Sequence, residues 1–229
     1  NVIVKTAVSY TGSDGDATCG GLFSDVEHKA TIKNCAFVGS INTGTAEGNG
    51  GLVGYAHSGS NQQYINCLVA PTEYTKNGNS GEFSRNNPTV QNSYYVASDD
   101  ARLASGELCY KLNADGDNWF QCIGTDAYPM PFNTHSKVLF VGDTGYATLF
   151  DTTSGYELSG DVKAYVAVLN NTWLDLTEVK VVPASTPVVL KGTYYNKVAA
   201  NLPAISVPND LKGAATDIEA DGTMYVLAK

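Results

Sequence analysis

The sequence predicts an all-β protein in two parts: a short β-solenoid with a small helical cap over residues 1–136, then an antiparallel β-sandwich over residues 137–229. Three observations carry this. Glycine pairs and Asn-Cys pairs recur about every 30 residues in the first half, a period that marks solenoids and arrays. Short runs rich in Val, Ile, Tyr and Phe alternate with Gly, Asn and Ser, and no stretch keeps a helical period for long. Beyond residue 136 the Asn-Cys signature stops while strand-length segments continue.

The repeat units align by their ends. Gly20-Gly21-Leu22-Phe23 matches Gly50-Gly51-Leu52-Val53, with a weaker Ser80-Gly81-Glu82-Phe83 after them. Downstream, Asn34-Cys35, Asn66-Cys67 and Asn92-Ser93 each precede an apolar run. The glycines permit positive φ or the close backbone approach that a sharp corner needs. In stacked β-coils, equivalent positions lie about 4.8 Å apart. Asn34, Asn66 and Asn92 are therefore expected to form a ladder whose amides bond one another, which satisfies groups that are costly to bury alone. Cys35, Cys67 and Ser93 form the adjoining row. In-register stacking holds Cβ atoms farther apart than the roughly 3.5–4.5 Å of a disulfide, so a row of buried thiols is expected in preference to a bridge.

Three further cysteines, Cys19, Cys109 and Cys122, make an odd total of five without zinc-like Cys/His spacing. Cys109 lies in "SGELCYKLN", expected to be a short helix capped by Ser105, with Glu107 in its first turn and Leu108 and Leu112 on one face. This helix opens a closing segment over about 98–136, and Cys109 with Cys122 is the one bridge worth testing.

In the second part, residues 162–168 and 174–177 are expected to pair as a hairpin through Asn170-Asn171-Thr172. Pro187 to Lys191 turns at Gly192 into Tyr194-Tyr195, and "ADGTMYVLAK" supplies a final turn and strand. Such spacing is that of a sandwich.

Composition restricts function. At 229 residues the chain suits two ordinary domains, and a 43% hydrophobic share with 14 tyrosines marks it as folded. Acids outnumber bases 23 to 14, giving a formal charge of -9, which disfavours nucleic acid or anionic lipid as a partner. No apolar run is long enough to insert in a membrane as a helix. The chain opens on the strand-like "NVIVKTAVSY" with no signal-peptide pattern, so it is expected to be a portion of a longer protein.

The stretch "GLVG" at Gly51 to Gly54 resembles the GLUG repeat of large bacterial surface proteins and adhesins; Gly20 to Phe23 and Gly81 to Ser84 depart from it progressively. "SGELCYKLN" followed by "WFQCIGTDAYPMPF" is similar to the segment that closes such repeats in surface proteins of gut Bacteroidetes. "VKAYVAV", "VVPASTPVVLKGTY" and "MYVLAK" are similar to β modules near the C-termini of those proteins. The resemblance implies an extracellular, non-catalytic, adhesin-like segment facing a host or cell-surface protein or glycan. It implies no cofactor and transfers no site residue.

Some residues also invite sharper chemical readings. Asp14, Asp16, Asp25, Glu27 and Glu47 do not recur at equivalent positions, as the paired acids of a glycan-cleaving groove would be expected to. His28, His57 and His135 are scattered, with His28 nearest Asp25 and Glu27. Asn113, Asp115 and Asp117 alternate like the start of a calcium loop, but the later bidentate glutamate is missing. Trp119 and Trp173 are aromatic candidates for stacking on a sugar in a carbohydrate-binding accessory region, although rings in β proteins more often pack inside.

Overall fold

A computed structural model describes residues 1–13, 16–43, 48–57, 61–75, 79–86 and 88–214. The protein is all-β, with two short helices, Ala101–Ala104 and Glu107–Leu112, among the described residues. The strand expected within residues 220–229, and the acids Asp14 and Glu47, lie outside them. The chain divides into two compact units, one of Asn1–Gln121 with Ala127–His135, the other of Cys122–Asp126 with Ser136–Lys229. The short stretch Cys122–Asp126 thus groups with the second unit, where Ile123 N–H donates to Asn196 Oδ1 at 2.7 Å.

In the first unit, strands about 30 residues apart pair in parallel and in register. Val2–Val4, Cys35–Phe37, Leu68–Val69 and Tyr94–Tyr95 form one such sheet. Thr31–Lys33, Gln63–Ile65 and Thr89–Gln91 form a second, and Ala7–Tyr10, Ser40–Thr43 and Glu73–Tyr74 a third. Thr18–Gly20 pairs with Gly48–Gly50 and Phe23–Val26 with Val53–Ala56, each continued by an isolated bridge to Gly81 or Ser84. Each pass of the chain therefore lies against the one before, and the repeat in the sequence is the repeat of these passes. The enclosed side chains are Phe37, Ile41, Leu52, Val53, Tyr64 and Val69, all fully buried.

The paired glycines serve close approach. A Cβ on Gly51 would sit 2.3 Å from Glu82 O and 2.4 Å from Val69 Cγ1; one on Gly21 would meet Gly51 O at 2.3 Å and the Phe37 ring at 2.4 Å. Positive φ at the corners falls instead to Asn34, Asn66 and Asn92, at 53°, 52° and 44°. Asparagine is the residue after glycine best suited to that left-handed conformation.

The two helices follow one another closely. Asp100 caps the first, accepting from Arg102 N–H at 2.9 Å. The second begins after Gly106, whose φ of 91° makes the turn between them. Ser105 is therefore not its N-cap as the sequence suggests: its backbone N–H ends the first helix on Ala101 O, though its Oγ still accepts from Glu107 N–H at 3.3 Å. The first helix was not foreseen, because four residues are too few to show a period.

The second unit has two antiparallel four-stranded sheets. One is ordered Leu139–Phe140, Tyr194–Ala200, Gly155–Gly160, Val181–Val182; the other Tyr146–Leu149, Val188–Lys191, Lys163–Asn170, Trp173–Val179. A single apolar cluster draws Val182 and Tyr195 from the first sheet and Ala164, Val166, Val188 and Leu190 from the second. The hairpin turn is tighter than the sequence suggests: Asn170 pairs with Trp173, and Asn171, at φ 57°, turns the chain.

Candidate functional site

The asparagine corner gathers polar side chains from successive passes of the first unit. Asn92 Nδ2 donates to Asn66 Oδ1 at 2.9 Å, and Asn66 Nδ2 donates to Asn34 Oδ1 at 3.4 Å. Asn34 and Asn66 are buried. The pairing of Val2 with Cys35 puts Asn1 beside Asn34, so "NVIV" is a fourth member of the series "NCAF", "NCLV" and "NSYY". The signal is in the sequence, an asparagine two residues before an apolar pair.

Beside this corner runs a row of back-bonded side chains. Cys35 Sγ donates to Lys33 O at 3.2 Å, Cys67 Sγ to Ile65 O at 3.3 Å and Ser93 Oγ to Gln91 O at 2.9 Å, the same bond to the carbonyl two residues upstream on each pass. Ser93 Oγ also accepts from Cys67 N–H at 2.9 Å. Burial pushes the Cys67 thiol up to about 11. None of the five cysteines forms a disulfide; Cys109 and Cys122 fall in different units, and the bridge considered between them is not made.

The segment after the second helix follows the corner. Asn92 Nδ2 also donates to Lys111 O at 3.0 Å. Asp115 accepts from Asn66 Nδ2 and, through its other oxygen, from Lys33 Nζ at 3.3 Å. Trp119 Nε1 donates to Asn66 O at 3.2 Å. These bonds hold the Asp115 carboxyl below the usual carboxylate range, the Asn66 amide contributing most.

This arrangement places two sets of weaker candidates. The calcium candidates do not converge: Asn113 Oδ1 accepts from Asn118 and Trp119 N–H at 2.9 and 2.8 Å, its Nδ2 donates to Trp119 O at 2.7 Å, Asp115 serves the ladder, and Asp117 faces a separate cleft. Trp119 is 0% exposed, so its ring is unavailable to a sugar; the indole is spent on packing and one bond to the corner. Trp173, by contrast, is 75% exposed at the hairpin turn of the second unit.

The cleft that Asp117 faces lies in the first unit and has a volume of about 640 Å³. Its walls include Asn1, Asn118 and Asn133, with the rings of Phe120 and Phe132. Sequence reasoning missed it because 117–120 and 131–134 are brought together by the bridge of Phe120 to Met130, whose two backbone bonds are 2.8 Å each.

The histidines do not gather. Asp25 faces His57 at 3.2 Å, and not its sequence neighbour His28, because Phe23–Val26 pairs with Val53–Ala56. The His57 ring lies 4.4 Å from that of Tyr55, over which Arg85 stands at 4.8 Å. Both His57 and Asp25 are more than a third exposed, where such pairs contribute little to stability. No family model matches the chain, and neither a curated protein nor a solved structure matches it.

Proposed function

We propose that the chain is a non-catalytic extracellular module of an adhesin-like cell-surface protein: a short β-solenoid closed by a helical cap, followed by a β-sandwich, acting as a stiff spacer that presents other parts of a longer protein. In-register parallel passes support the solenoid reading, and a core shared by two antiparallel sheets supports the sandwich. Stacked coils make a quasi-one-dimensional rod suited to presentation. The GLUG-like "GLVG" and the closing segment that follows it favour the bacterial surface.

One observation carries the reading. The recurring residues Asn34, Asn66, Asn92, Cys35 and Cys67, with Asp115, are bonded to one another or to the backbone along one corner. The test is to incubate the purified chain with a broad panel of polysaccharides and assay released reducing ends. The reading expects none; release that follows the chain through purification and is abolished by substituting one of its acids overturns it.

A second reading, a carbohydrate-binding accessory region of a glycan-degrading protein, is favoured by the cleft beside Asp117.

A further inference from the structure

We infer that the cleft beside the asparagine corner binds a neutral oligosaccharide, with Phe132 as the stacking ring and Asp117, Asn118 and Asn133 as hydrogen-bonding groups. The inference rests on the carbohydrate-binding reading and gives it a place and a ligand class.

The size fits: about 640 Å³ falls within the roughly 300–1,000 Å³ of small-molecule sites. The wall chemistry fits as well. A pyranose offers an apolar C–H face and a rim of vicinal hydroxyls, each both donor and acceptor. Phe120 and Phe132 supply apolar rings, and Phe132 is 41% exposed. Carboxylate and primary amide groups are planar and can meet two hydroxyls at once, the amide donating and accepting together. Asp117 supplies a carboxylate, Asn133 such an amide, and Asn118 an amide whose Nδ2 already donates to Gly116 O at 3.2 Å.

Charge narrows the class. None of the lining side chains is cationic, one is an acid, and the whole chain carries a formal charge of -9. Sulfated, sialylated or uronic sugars would bring an anion to a site that offers no Lys, Arg or His side chain and already holds a carboxylate, whereas a neutral glycan brings none.

The walls are also held before a ligand arrives. Asn113 fastens the 118–119 backbone with three side-chain bonds, and the Phe120 to Met130 bridge ties that wall to the one that the buried Pro131 begins. Little ordering is left to oppose binding. The cleft therefore puts to use the closing segment that locks the asparagine corner, so one loop does both.

The experiment is an array of neutral gluco-, galacto- and manno-oligosaccharides beside sulfated, sialylated and uronic ones, probed with the full chain and three variants. Phe132→Ala and Asn133→Ala alter exposed groups of the cleft; Trp173→Ala alters the exposed ring of the other unit. The expected result is binding to neutral sugars that falls about tenfold or more in Phe132→Ala, falls also in Asn133→Ala, and persists in Trp173→Ala. Urea midpoints equal to the parent's show that a loss is not unfolding, and either cleft variant suffices should the other not fold. Preference for anionic sugars, loss only in Trp173→Ala, or no binding by the parent chain overturns the inference. Absence of binding leaves the spacer reading standing, whereas cleavage of an arrayed sugar sinks the non-catalytic reading and not the cleft.

Discussion

Lys33 Nζ lies 3.3 Å from Asp115 Oδ2, although 82 positions separate the two along the chain. The other Asp115 oxygen accepts from Asn66, so one carboxylate ties the segment after the second helix to two successive passes of the first unit. The ion pair is exposed and weak by itself. Its value lies in what it joins.

A pH dependence follows. The folded protein holds Asp115 below its ordinary value, so its contribution is present above the unfolded carboxylate value near ~4 and is lost as pH falls through the folded one. Asp115→Asn should be less stable than the parent at pH 7, and the gap should close on acidification. Urea midpoints of both proteins between pH 7 and about 2.5 check this. Asp100, held at about 2 mainly by the Arg102 guanidinium, and Asp151 shift in the same direction but cancel in the difference. A gap that does not change with pH contradicts the assigned role.

Gly51→Ala probes the spacing of the passes. A methyl there meets Glu82 O and Val69 within 2.4 Å, and one of these contacts is backbone that cannot swing aside. Overpacking of this sort costs about 1–3 kcal/mol. A chemical-denaturation curve unchanged from the parent's would mean that the chain does not approach itself so closely at that point.

The cysteines differ in access. Cys35, Cys67 and Cys109 are buried, whereas Cys19 and Cys122 are partly exposed. Burial raises the Cys67 thiol to about 11, which leaves almost no thiolate at neutral pH. Brief alkylation of the native protein at pH 8 should mark Cys19 and Cys122 alone, and alkylation in denaturant without reductant should mark all five. Peptide mass spectrometry reads both. Native labelling of Cys67 as fast as Cys19 would contradict the packing, and a denatured protein with only three reactive thiols would restore the Cys109 to Cys122 bridge.

How much of this was legible varies with the kind of signal. The equivalence of Asn34, Asn66 and Asn92 could be read because each pass repeats the same corner, and a repeated corner repeats its residue. The glycine pairs were visible too, but whether they serve positive φ or close approach depends on what stands opposite, such as Phe37 behind Gly21. The fate of Trp119 could not be read: its partner, Asn66 O, is 53 residues away, and nothing local separates a buried indole from an exposed one. Asp115 looked like half of a metal loop for the same reason, since alternation of acids records the turn and not the side chains it will meet. The cleft was hidden because its two walls are unremarkable loops until the Phe120 to Met130 bridge joins them.

The claim on which the account stands is that the recurring asparagines are architecture. Asn66 tests it most directly, being bonded to Asn34, Asn92 and Asp115 while holding φ at 52°. Urea denaturation of Asn66→Ala and Asn66→Gly against the parent is the measurement. The alanine variant should lose about 4 kcal/mol, from three hydrogen bonds worth about 1 kcal/mol each and a left-handed backbone costing about 1 kcal/mol more. The glycine variant should fall between, since glycine relieves the backbone and restores none of the bonds. If both variants unfold at the parent's midpoint, the ladder supports nothing, and the asparagines need another explanation.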